Sequence, residues 1–190
     1  SFRDVIGGFE LMGKERGTKF SGVKGSDIDS VRVIEDGPAR SVVEAMFFFG
    51  DSFICQRYKL PKKGTEIEVE LRVYWNEKDT MLKLSIPTVG TDCKYLGQTA
   101  FGIQELPVNG DEAVAQKWVA VVSRSAGSEK EDIAFTCIND GSYGSDFSAE
   151  GLRLSLVRSP AYSAHPDREG LLYMPKDRYM PRSDQGRRSF

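Results

Sequence analysis

A single histidine, His165, stands in the 190 residues, and that limits the chemistry available to this chain. A hydrolytic zinc ion usually takes three protein ligands and keeps one position for water. His165 sits in Ala164-His165-Pro166-Asp167, a polar stretch without other ligand types at ligand spacing, so zinc chemistry would need residues from elsewhere. A serine or cysteine nucleophile needs a partnering base, and no G-x-S-x-G elbow is present. Cys55, Cys93 and Cys137 are odd in number, far apart and free of any C-x-x-C pair, which reads as reduced, mostly buried thiols and suits a cytoplasmic setting. Sugar hydrolysis asks only for a carboxylic acid and a carboxylate across the scissile bond. The available pairs are Asp27 with Asp29, Glu35 with Asp36, and the series Glu66 to Glu70. Each has a plainer reading: a Ser/Gly/Asp loop, a turn before Gly37-Pro38, and the wet face of a strand.

Binding chemistry is better represented. Asn139-Asp140-Gly141-Ser142-Tyr143-Gly144 packs short hydrogen-bonding side chains and a phenol onto a turn, which makes Asp140 and Tyr143 candidate ligand contacts. Asn-Asp-Gly is also an excellent turn by itself. Arg158 follows an apolar strand and precedes Pro160, which puts a guanidinium at a strand end, where it can grip hydroxyls or anchor the following segment. Trp75 and Trp118 can each stack on a sugar ring or fill a core, and core packing is the commoner use.

The elements that must position these groups are strands. Val31 to Glu35, Ser41 to Phe49, Met81 to Ile86, Lys117 to Val122, Ile133 to Ile138 and Leu152 to Leu156 carry strand patterns. From Glu66 to Trp75, Ile67, Val69, Leu71 and Val73 share one face, while Glu66, Glu68, Glu70 and Arg72 share the other. Gly37-Pro38 and Pro61-Lys62-Lys63-Gly64 punctuate the runs. No window has convincing helical spacing, so the expected fold is all-β, an antiparallel β-sandwich. Residues 1–30 read as a Gly-rich entry segment, 31–160 as the sandwich, and 161–190 as an irregular arm leading to a truncated last strand. A net charge of −2 gives no footprint for nucleic acid or an anionic membrane, and no apolar run approaches bilayer length.

Several ordered segments resemble the C-terminal β-rich half of the glycoside hydrolase family 38 α-mannosidases. Val73 to Thr88, VYWNEKDTMLKLSIPT, is similar to the family's W-N-E-(K/R)-(H/D)-x-x-L-K-(L/V)-x-(I/F)-P segment. Asn139 to Pro160 is similar to its N-D-x-x-Y-G and L-R-L-(S/T)-L-(L/V)-R-S-P pieces. Glu35 to Arg40 matches E-x-G-P-(V/A)-R, Gln116 to Trp118 the segment ending in tryptophan, and Ser183 to Phe190 the closing D-x-G piece. Gly141-Ser142 and Arg187-Arg188 depart from the family pattern.

The resemblance implies a galactose-mutarotase-like supersandwich within a larger multidomain enzyme. It implies that zinc and a catalytic aspartate of a retaining mechanism belong to an N-terminal half with no counterpart in these residues. It also implies that Arg158 reaches toward the sugar or a neighbouring subsite. On this reading the chain is a cleft wall and scaffold, has no catalytic residues or cofactor of its own, meets α-mannosides or oligosaccharides through the parent enzyme, and is compatible with a homo-oligomer. Two other readings compete. A stand-alone carbohydrate-binding sandwich would expose the ring of Trp75, Trp118 or Tyr143. A self-contained epimerase or lyase would bury His165 or a carboxylate pair in a concave sheet.

Overall fold

The computed structural model describes residues 9–13, 28–77, 80–124 and 132–159, and the backbone of 187–189. His165, the arm before residue 187 and most of the Gly-rich entry segment lie outside these residues. Among them are fourteen strands and no helix. In chain order they are β1 (Glu10–Leu11), β2 (Val31–Asp36), β3 (Arg40–Phe49), β4 (Ser52–Pro61), β5 (Glu68–Tyr74), β6 (Met81–Ile86) and β7 (Thr91–Thr99). There follow β8 (Gly102–Glu105), β9 (Ala113–Val114), β10 (Trp118–Arg124), β11 (Asp132–Ile138), β12 (Gly144–Ser148), β13 (Gly151–Arg158) and β14 (Arg187–Ser189). Every pairing is antiparallel. The all-β, antiparallel expectation holds. The strands fall into two compact units, one within Ser1–Thr80 and Ser159–Phe190, the other Met81–Arg158.

The first unit is one sheet, ordered β1-β3-β4-β5-β14, with β2 also paired to β3. Alternation along β5 separates its faces as the sequence predicts. Leu71 and Val73 are buried, and by register they share a side with Ile54 of β4. The opposite side is more than a wet face. Register sets Glu44 beside Arg32 and Arg57, and Arg57 beside Glu70. Glu44 is almost fully buried, with Arg32 Nη2 at 2.6 Å and Arg57 Nε at 2.7 Å. Arg72 reaches Glu70 at 2.8 Å, and Lys59 reaches Glu68 at 2.5 Å. The charged series thus forms a cross-strand ion ladder, the arrangement in which opposite charges on facing strands stabilise a sheet. Glu35 is held across the β2–β3 hairpin by Arg40, and Asp36 by Lys62 just beyond β4, so neither is a free carboxylate.

Burial opposes the charge on Glu44, but Arg57 and Arg32 outweigh it and hold the carboxyl below the ordinary glutamate value. A lowered carboxylate pKa contributes stability that is complete above the ordinary value and disappears as pH falls through the folded-state value. The advantage of the wild type over Glu44→Gln in urea unfolding is therefore expected to shrink as pH drops from neutral into the acid range. A constant advantage would contradict this. Beside the ladder, burial together with the charge of Glu44 pushes the Cys55 thiol up to about 11, so it packs as a small hydrophobe with Met12 and Met46.

The second unit is a sandwich of two four-stranded sheets, β11-β10-β7-β8 and β6-β13-β12-β9. Tyr95 of β7 and Val119 and Val121 of β10 face Phe147 of β12 and Leu152 and Leu154 of β13 across one core. The Tyr95 hydroxyl donates to Ser145 Oγ at 2.5 Å, so the buried phenol and the buried serine satisfy each other. Cys93 and Cys137 pack partly buried against this core, and all three cysteines are free.

Candidate functional site

Antiparallel register gathers the sequence-flagged residues at one end of the Met81–Arg158 sandwich. Ser145 pairs with Leu154, so the start of β12 lies beside the end of β13. Tyr143 therefore enters β12 at the end where Arg158 closes β13 opposite Met81. In the facing sheet, Trp118 pairs with Ile138 and Val119 with Gly97, so β10 begins, and β7 and β11 end, at that same end.

The loops there are tied by hydrogen bonds. Gln98 O accepts from Gln116 N at 2.8 Å, and Gln98 Oε1 accepts from Lys117 N at 3.1 Å. Asn139 Nδ2 donates to Gln116 O at 3.3 Å, while Asn139 Oδ1 accepts from Ser142 N at 3.0 Å. That last bond is the Asx-type closure expected of this turn, and Gly141 supplies the positive φ of 101° that it needs. The turn reading of Asn139-Asp140-Gly141 is therefore correct, and the turn also displays its side chains. Asp140 is fully exposed, with Lys117 Nζ at 3.4 Å, and the Tyr143 ring is half exposed. Tyr143 O accepts from Ala115 N, fixing the backbone beneath the ring.

Of the rings weighed from sequence, Trp75 is buried and donates from Nε1 to Ser159 Oγ at 3.2 Å. Trp118 is half buried. Sequence reasoning passed over two residues at this end. Phe101 caps the two-residue β7–β8 hairpin and is fully exposed, and Lys117 is the cation beside Asp140. The available signal was an aromatic in Thr99-Ala100-Phe101-Gly102, a hairpin tip where nothing can bury it.

An exposed phenol, an exposed phenyl, a carboxylate, an ammonium and a guanidinium can stack on and hydrogen-bond a polyhydroxylated ligand. At this end the Asp140 carboxylate has the Lys117 ammonium beside it, and the Glu112 carboxylate accepts from Ser155 Oγ at 2.6 Å. Among the described residues no three His, Cys, Asp or Glu side chains come together to hold a metal ion.

The strands define an antiparallel sandwich that presents polar and aromatic side chains at one end. The chain belongs to glycoside hydrolase family 38: it matches the family's description, "Glycosyl hydrolases family 38 C-terminal domain", over residues 9–169. No curated protein matches the chain.

Proposed function

We propose that this chain is the C-terminal β-sandwich portion of a retaining α-mannosidase, and that the end bearing Asp140, Tyr143 and Arg158 forms part of the substrate-cleft wall. The observation that carries this reading is the register of β12 and β13, which brings the turn bearing Asp140 and Tyr143 to the sandwich end where Arg158 closes β13. The zinc-assisted cleavage belongs to the other half of the parent enzyme. The residues here bind and orient: Arg158 and Asp140 hydrogen-bond sugar hydroxyls, and Tyr143 offers a ring face.

Arg158→Ala in the parent enzyme is expected to lower kcat/KM for an α-linked mannooligosaccharide roughly tenfold, the effect of losing one charge-assisted hydrogen bond. Circular dichroism checks that the variant keeps its strands. Unchanged kcat/KM in Arg158→Ala, Asp140→Asn and Tyr143→Ala alike would sink the cleft-wall role.

The exposed Tyr143 ring also suits a second reading, a stand-alone carbohydrate-binding sandwich. Burial of Trp75 removes one of the three rings that reading relied on. Titration of the isolated chain with mannooligosaccharides separates the two, because only the binding-module reading expects saturable binding without the parent enzyme.

A further inference from the structure

β11 is an edge strand, and its outer side has the features of a pairing surface. Asn139 N donates to Lys117 O at 2.9 Å, and the register continues without a shift from Trp118↔Ile138 to Arg124↔Asp132. Antiparallel ladders alternate bonded and non-bonded pairs. The odd-numbered residues of β11 therefore direct their N–H and C=O groups to β10, and Asp132, Ala134, Thr136 and Ile138 direct theirs away from it. Among the described residues no strand receives them.

Edges are normally protected by proline, lysine, a bulge or shortness. β11 has seven residues, no proline, no lysine and no bulge. Its inward side is also short of cover. Ile133 and Phe135 are each 40% exposed and help line an apolar recess of about 60 Å³ with Pro87, Val89 and Val121. On the outward side Ile138 is largely exposed.

We propose that β11 pairs with β11 of a second copy of this chain, antiparallel and centred on Phe135. The strand matches itself in this arrangement. Phe135 meets Phe135 and Ile133 meets Cys137, which keeps every inward side chain apolar, while Ala134 meets Thr136 on the outward side. The outward-directed groups fall opposite one another in the bonded positions, giving about eight hydrogen bonds between the copies. Charge selects the antiparallel orientation. Asp132 is the only ionisable carboxylate of the strand, and the two-fold sets it opposite Ile138, whereas an in-register parallel pair would stack Asp132 on Asp132. A strand pair of this length covers on the order of 1,000 Å², the low end for specific association, so the dimer is weak and concentration-dependent.

The test is sedimentation velocity of the 190-residue chain from about 1 to 200 µM, the range in which a weak dimer forms and dissociates. Wild type is expected to shift from monomer to dimer. Thr136→Pro removes one outward N–H without touching the β10 ladder, and Phe135→Lys charges the two-fold centre. Both are expected to stay monomeric, while Ile103→Lys on the opposite edge strand β8 still dimerises. Circular dichroism checks that each variant keeps its strands, and Phe135→Lys decides the matter if Thr136→Pro unfolds. A wild type that stays monomeric throughout, or a dimer that survives in both β11 variants, overturns the proposal.

Discussion

Asp146→Ala is expected to lower the free energy of unfolding by about 3 kcal/mol, the lower end of the range for removing one partner of a buried ion pair. Asp146 has no solvent exposure, although it points to the outer face of its sheet, opposite core-facing Ser145 and Phe147. Arg153 Nε lies 2.6 Å from one carboxylate oxygen, and Lys83 Nζ lies 2.5 Å from the other. Removing the carboxylate leaves two cations side by side with no anion between them. Both cations keep partial access to water, which moderates the loss and sets the estimate at the lower end. Asp146→Asn retains an acceptor oxygen and should lose less. Urea unfolding of the two variants measures this, and a loss below about 1 kcal/mol for Asp146→Ala would refute the assignment of Asp146 as the anchor of that face.

Gly151→Ala is expected to cost about 3 kcal/mol for a different reason. Gly151 starts β13 with a φ of +117°, a backbone conformation that L side chains rarely adopt. A Cβ there would stand 2.5 Å from Ile86 O and 3.1 Å from Pro87 Cα, both of them backbone atoms that cannot swing aside. Strain and clash therefore add. Gly102→Ala is the matched control, since a Cβ at Gly102 meets nothing within 4 Å and φ is not positive there. Near-equal melting temperatures for the two variants would contradict this account.

The strands legible in the sequence were those in which one side is apolar and the other is not. β5, β6 and β13 follow that rule, and their predicted and observed positions agree closely. β7 and β12 break it. β7 turns Gly97 toward the core because Leu106 and Ala115 already occupy the space, so an inward position carries no side chain at all. β12 reads Gly-Ser-Asp-Phe-Ser, where the buried serine is spent on Tyr95 and the buried aspartate on Lys83 and Arg153. Polar residues that find partners only in the folded sheet look like a loop in the sequence.

The candidate site divides in the same way. Asp140 and Tyr143 were visible because a polar turn announces itself locally. Their cation Lys117 and the hairpin aromatic Phe101 come from other strands, and only register brings them to the same end. The Glu66–Glu70 series was read as a solvated face, and Glu68 is indeed mostly exposed although Lys59 pairs with it. Glu70, with Glu44 outside the series, instead carries an ion ladder whose partners lie on neighbouring strands.

The most direct test of the central claim is hydrolysis of an aryl α-mannoside by the full-length parent protein and by this chain alone, each with and without a zinc chelator. The account predicts turnover by the full-length protein, loss of that turnover with chelator, and none by the isolated chain. Chelator-resistant turnover by the isolated chain would contradict it and would place the catalytic carboxylates or His165 within these 190 residues.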